Sequence, residues 1–185
     1  MRRFVSRAGE KLDHALNAFA LDVTGWVCAD FGSNTGGFTD CLLQRGATKV
    51  YAIDTGYGVL DWKLRKDPRV VVMERTNAMH VALPERTDLV VIDVAWTKQR
   101  NILPAAMRVV RPGGTVLSLI KPHYEADPKW LAKGVLPVDR VDEVLRAVAA
   151  DIRAAGFELV QTTRSPILGA KGNTEVLARL LAPGG

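Results

Sequence analysis

Trp26-Val27-Cys28-Ala29-Asp30-Phe31-Gly32-Ser33-Asn34-Thr35-Gly36-Gly37 is the stretch that decides the fold. A short apolar run, Trp26 to Asp30, has the length of a buried strand and ends on an acid. Gly32 to Gly37 then form a turn whose glycines let backbone approach a ligand closely. A helical pattern follows through Leu42-Leu43 to about Arg45, and Gly46 stops it. Strand, glycine turn and helix make the first half of a βαβ unit, and the pattern repeats outward. Val50–Asp54, Val70–Val72, Leu89–Asp93 and Thr115–Ile120 read as further strands. Leu103–Val110 reads as a helix, separated from the last of these by the turn Pro112-Gly113-Gly114. On the N-terminal side, Ser6 is a candidate N-cap for a helix over about 7–20, with Leu12, Ala15, Leu16 and Phe19 on one face. On the C-terminal side, 139–155 is amphipathic, and Phe157–Thr162 and Thr174–Leu181 read as two closing strands. The expectation is an α/β fold with helices on both faces of a seven-stranded, mostly parallel sheet whose last strand is antiparallel.

Length and composition agree. The chain has 185 residues, 48% of them hydrophobic and 24% charged, so it is expected to form one domain over 1–185. A net charge of +5 permits a polyanionic partner without demanding one. Cys28 and Cys41 read as core thiols, not as a disulfide framework, which points to the cytoplasm. Met1-Arg2-Arg3 superficially suggests a twin-arginine leader, but Arg7, Glu10, Lys11 and Asp13 interrupt any apolar segment. No membrane span and no metal site are expected. His14, His80 and His123 lack ligand spacing.

In open α/β sheets, ligands sit beyond the carboxyl ends of the strands. Asp30, Asp54, Asp93 and Lys121 all fall at such ends. The turn after Asp30 is neither G-x-G-x-x-G nor a P-loop, which disfavours a pyrophosphate reader and a nicotinamide dehydrogenase. A cofactor with an amino-acid tail fits better, since Asp30 or Asp40 can face an ammonium. Asp54 is positioned to accept ribose hydroxyls, and Asn77 to reach an adenine edge or to cap a helix. A second group, Lys11, Asp93, Lys121 and Glu175, can converge beside that pocket from both ends of the chain.

Several of these runs together resemble the hemolysin-A-type branch of the FtsJ-like ribosomal RNA 2′-O-methyltransferases. They are Val5-Ser6-Arg7-Ala8-Gly9-Glu10-Lys11-Leu12, Gly36-Gly37-Phe38-Thr39-Asp40-Cys41-Leu42-Leu43 and Tyr51-Ala52-Ile53-Asp54-Thr55-Gly56-Tyr57-Gly58. Ile120-Lys121-Pro122 with Glu125, Ser165-Pro166-Ile167 and Gly172-Asn173-Thr174-Glu175 complete the match, which spans nearly the whole chain. The resemblance implies a Rossmann-like class I methyltransferase fold and S-adenosyl-L-methionine as cofactor. It assigns a catalytic Lys-Asp-Lys-Glu tetrad to Lys11, Asp93, Lys121 and Glu175. It assigns cofactor binding to Asp30, Gly32, Ser33, Gly36, Gly37, Phe38, Asp54, Asn77 and Asp93. There are three departures from the family pattern. The chain starts at the methyltransferase helix without the family's N-terminal RNA-binding domain. Val94-Ala95-Trp96-Thr97-Lys98-Gln99-Arg100 replaces the usual Ser-Phe-Ile-Ser-Leu. His123-Tyr124 replaces the usual Gln-Phe after Lys121-Pro122.

The implied chemistry is transfer of a methyl group to a ribose hydroxyl. Alignment supplies up to about 7–11 kcal/mol of barrier reduction, and general-base help about 10²–10⁴-fold. Lys121 is the expected base or orienting group, Asp93 its holder, and Lys11 and Glu175 the groups that fix the ribose. RNA, as ribosomal RNA or a ribosomal particle, is the expected partner, with a docking protein as a further possibility. The expected docking face is Arg2, Arg3, Arg7, Lys63, Lys66 and Arg69, Arg65 belongs to the same phosphate-contacting cluster, and Trp62, Trp96 and Tyr124 are candidates for base stacking. The competing reading is a catalytically silent cofactor-fold module that binds RNA or the ribosome.

Overall fold

The computed structural model describes residues 3–185. Seven strands form one sheet in the order β3-β2-β1-β4-β5-β7-β6. They are β1 Val27–Phe31, β2 Lys49–Ile53, β3 Val70–Met73, β4 Thr87–Ile92, β5 Val110–Ile120, β6 Glu158–Arg164 and β7 Val176–Leu181. The first five run parallel to one another, and β7 runs antiparallel between β5 and β6. The helices are α1 Ala8–Ala18, α2 Gly37–Gln44, α3 Trp62–Arg65, α4 Gln99–Val109, α5 Pro122–Glu125 and α6 Val141–Ala154.

Strand periodicity divides the core into two layers. Ala29, Phe31, Tyr51, Ile53, Val90 and Ile92 face the layer built with α4 and α6. Cys28, Val50, Ala52, Leu89 and Val91 face the opposite layer, built with Leu12, Leu16, Leu42 and Leu64 of α1, α2 and α3. Both cysteines are free, fully buried thiols, and burial pushes their pKa values up, that of Cys41 to about 12.

Two local expectations are corrected. Ser6 does not cap α1: the N-cap position falls on Arg7, and no side chain bonds the first turn. Pro112-Gly113-Gly114 does not separate α4 from its strand. Val110 already pairs with Thr87, and pairing resumes at Thr115 with Leu89, so the triplet is absorbed as an excursion within β5. The strand order reverses between β1 and β4, and both chains end there on the side where Asp30 and Asp93 emerge. That switch point is where a ligand crevice opens in such sheets.

Candidate active site

Two clefts meet at the switch point. The larger, about 490 Å³, is lined by Asn34, Asp54, Asn77, Asp93, Trp96 and Lys121, among others. The smaller, about 240 Å³, is lined by Ser6, Arg7, Lys11, Ser33, Gly37 and Phe38. Gly32, Asn34 and Asp93 belong to both, so Asp93 stands at the seam.

The glycine turn is held by backbone. Gly32 and Ser33 both donate to the Ile53 carbonyl, and Asp93 donates to that of Phe31, which ties the ends of β1, β2 and β4 together. Gly32 has φ +86°, and a Cβ there would collide with the Asp93 carbonyl. Only glycine allows that approach, and the closeness forms the cleft floor. Asp54 has both oxygens engaged by backbone, Asn34 N at 2.8 Å and Gly56 N at 2.7 Å, which fixes its carboxylate at the wall of the larger cleft. Asn77 accepts from Met79 N as the cap of a 3₁₀ turn, and it lines the larger cleft.

Three expected cofactor residues have other surroundings. Asp30 is fully buried and lines neither cleft; Thr39 donates to Oδ2 through its N–H at 3.0 Å and its hydroxyl at 2.7 Å. Its Oδ1 has no partner among the described residues, and burial raises its pKa to about 7. Asp40 is turned toward the N-terminal segment and the α3 loop, accepting from Val5 N at 2.8 Å and Lys63 Nζ at 3.0 Å. Gly36 also lines neither cleft. Its φ of +100° makes the turn into α2, and an added Cβ would strike Leu64 and Leu60. Its glycine requirement therefore comes from the left-handed backbone of the turn, with the Leu64 and Leu60 side chains adding to it.

The four charged residues form two ion pairs. Lys11 Nζ meets Glu175 Oε2 at 2.5 Å, with both side chains almost wholly buried. Lys121 Nζ lies 2.7 Å from Asp93 Oδ1 and donates to the Val94 carbonyl at 3.2 Å. An ammonium has three donors, so one remains for a ligand in the cleft. Lys11 and Asp93 share the small cleft, Asp93 and Lys121 the large one, and Glu175 stands behind Lys11.

The segment after Asp93 is anchored from α5. Glu125 accepts from Gln99 N at 2.8 Å, and Lys98 Nζ donates to the Glu125 carbonyl at 3.0 Å. Just ahead of these anchors Trp96 takes φ +60°, is 83% exposed, and packs on Tyr124 with centroids 4.8 Å apart. Sequence reasoning finds no ligand spacing at His123 and notes its departure from the family pattern, but does not place it in a site. It is buried beside Lys121 and against Tyr124, 4.2 Å between ring centroids. Its position directly after Lys121-Pro122, at a strand end, is the available signal. The expected docking face is also altered. Arg3 pairs with Asp13, Lys63 with Asp40, Arg65 with Glu74 and Arg69 with Asp67, while Lys66 sits over the Trp62 ring. Arg2 lies outside the described residues.

The sheet order, the crevice and its residues define a class I S-adenosylmethionine methyltransferase fold, and the FtsJ-like methyltransferase model matches residues 4–180. The chain belongs to the FtsJ-like methyltransferase family. It is similar to the 16S/23S rRNA (cytidine-2′-O)-methyltransferase TlyA of Mycobacterium tuberculosis, 43% identical over 180 residues, covering 94% of this chain and 67% of the relative. A solved structure described as a hemolysin from Lactococcus lactis superposes with TM-score 0.94 at 40% identity, covering all of this chain and 91% of that one. An S-adenosylmethionine-dependent methyltransferase from Listeria monocytogenes shares the fold alone, with TM-score 0.69 at 18% identity over 96% of this chain and 99% of that one. Among the described residues no helix is long and apolar enough to cross a membrane.

Proposed function

We propose that this chain methylates the ribose 2′-hydroxyl of ribosomal RNA with S-adenosylmethionine as methyl donor, and that cytidine is the target nucleoside, as the name of the mycobacterial relative states for that protein. The observation that carries the reading is the Asp93–Lys121 pair at the seam of the two clefts. The lining fits the donor: Asp54 offers a fixed carboxylate to ribose hydroxyls, Asn77 a polar edge, and Gly32 a floor without a side chain. When bound, S-adenosylmethionine supplies a methyl group on a positively charged sulfur.

Lys121 then acts on the acceptor. The free position on its nitrogen would hold the 2′-hydroxyl and take up its proton while the methyl carbon passes from sulfur to oxygen, the sulfur–carbon bond breaking as the oxygen–carbon bond forms. Asp93 holds the lysine on one bearing, while the Lys11–Glu175 pair fixes the neighbouring wall. Lys98, Lys133 and Lys171, which make no ion pair with a carboxylate among the described residues, suit the phosphate backbone better than the paired arginines do. A net charge of +5 gives weak, salt-sensitive non-specific binding, with dissociation constants of about 10⁻⁴–10⁻⁶ M. An assembled subunit, or a docking partner, is therefore expected to be a better substrate context than a short hairpin. Methyl incorporation measured side by side on naked ribosomal RNA, a hairpin and subunits, over a salt series, tests this. Equal, salt-independent labelling of the hairpin contradicts it.

A further inference from the structure

A third cavity, about 440 Å³, lies on the far side of Trp96 from the cofactor cleft. Trp96, Tyr124, Ala126, Pro128 and Leu131 make it largely apolar, and Lys98 and Lys171 stand at its edge. Trp96 lines both this cavity and the larger cleft, so one indole borders the two spaces. A non-glycine residue held at φ +60° with its ring almost fully exposed is a strained arrangement of the kind that collects at binding sites.

The imidazole within this lining is that of His123. It is only 7% exposed, and its Nδ1 is sealed and without a partner among the described residues. Burial and the nearby Lys121 charge both lower its pKa, so the ring is neutral at pH 7. A neutral imidazole carries one N–H and one acceptor nitrogen. An orphaned buried N–H is rarer than an orphaned acceptor, so the proton belongs on Nε2. Nδ1 is closed off, and Nε2–H is the group that a molecule entering the cavity meets.

We propose that this cavity receives the target nucleobase, and that His123 is a specificity-determining residue that donates from Nε2 to the N3 acceptor of cytosine. This rests on the functional reading above. Cytosine N3 is an acceptor, whereas uracil N3 bears a hydrogen; a fixed donor thus favours cytosine and opposes uracil. Trp96 supplies the stacking face, and its contact with both spaces keeps the ribose of that nucleotide beside Lys121.

The test uses matched RNA substrates with cytidine or uridine at the methylated position, and the full chain as wild type, His123→Phe and His123→Gln. The wild type is expected to prefer cytidine by about tenfold or more in kcat/KM, a typical worth of one base-reading contact. His123→Phe is expected to bring the ratio to within about threefold, with S-adenosylmethionine affinity unchanged in calorimetry. His123→Gln, which restores a donor, is expected to keep cytidine ahead. A merely structural role lowers both substrates equally. A wild-type ratio near one, or a wild-type ratio retained by His123→Phe, overturns the proposal. Should the wild type label no RNA, the functional reading fails separately. Anisotropy of labelled oligomers carrying one cytidine or one uridine then decides the role of His123: loss of a cytidine preference in His123→Phe supports it, and equal binding of both oligomers by the wild type overturns it.

Discussion

Lys11 and Glu175, 164 positions apart in sequence, meet in a buried ion pair that joins the N-terminal helix to the start of the antiparallel strand. The contact closes the fold across its two chain extremes and forms one wall of the small cleft. A buried pair adds little net stability by itself, but removing one partner strands the other charge.

Either Lys11→Ala or Glu175→Ala is therefore expected to lower unfolding stability by about 3–5 kcal/mol. The paired replacement Lys11→Met with Glu175→Leu is expected to recover much of that loss while leaving methyl transfer impaired. Urea unfolding and methyl incorporation on the same variants check the two halves. Recovered stability together with full activity would reduce the pair to a structural role.

The two glycines of the turn should separate. Gly32→Ala intrudes on the Asp93 carbonyl at the cleft floor, so it is expected to abolish S-adenosylmethionine binding. Gly36→Ala meets Leu64 and Leu60 at a left-handed backbone position, so its first effect is expected on melting temperature. Asp54→Ala is expected to weaken cofactor binding by about 1.5–3 kcal/mol, the worth of hydrogen bonds to a charged acceptor. Calorimetric titration and thermal melts together distinguish these outcomes.

Asp30 gives stability a pH dependence. Burial raises its folded pKa to about 7 from an ordinary 3.8, so the folded state holds a proton that the unfolded state has released. The contribution is fully present below pH 4 and is lost as pH rises toward 7. Asp30→Asn removes the ionisation and is expected to stabilise the protein at pH 8 by a few kcal/mol, since each tenfold change in proton affinity is worth about 1.4 kcal/mol. Urea midpoints from pH 4 to 8 should fall less steeply in the variant. Parallel slopes would mean that Asp30 ionises freely.

The phosphate contacts are expected to follow the unpaired lysines. Lys133→Ala and Lys171→Ala should each reduce the salt slope of RNA binding by about 1, while Arg69→Ala, which frees Asp67 and the Leu43 carbonyl, should leave it nearly unchanged. Binding isotherms at several salt concentrations measure the slope.

Much of the fold is legible in the sequence because each parallel strand is an apolar run closed by a turn signal. Asp30, Asp54, Asp93 and Lys121 can be found because strand ends in such sheets are ligand ends. What escapes the sequence is local or relational. Residue type alone says nothing of whether a strand-end carboxylate faces a cleft or, like Asp30, turns inward to Thr39. The need for glycine at 36 is visible, but the packing of Leu64 against that turn is not, because a four-residue helix leaves too short a periodicity. The basic run from 63 to 69 resembles a phosphate surface until its partners Asp40, Glu74 and Asp67 fold against it. The histidine cavity depends on segments near 96, 123, 131 and 171, which no single stretch of sequence brings together.

The central claim is that Lys121, held by Asp93, directs methyl transfer to a ribose hydroxyl. Its most direct test is labelling of ribosomal RNA with S-adenosylmethionine carrying a tritiated methyl group, followed by alkaline hydrolysis, in the wild type, Lys121→Ala and Lys121→Arg. Label is expected in alkali-resistant dinucleotides for the wild type and in none for either variant, with both variants binding S-adenosylmethionine at near wild-type affinity. Label on a base, or alkali-resistant label at wild-type rate from Lys121→Ala, would contradict it.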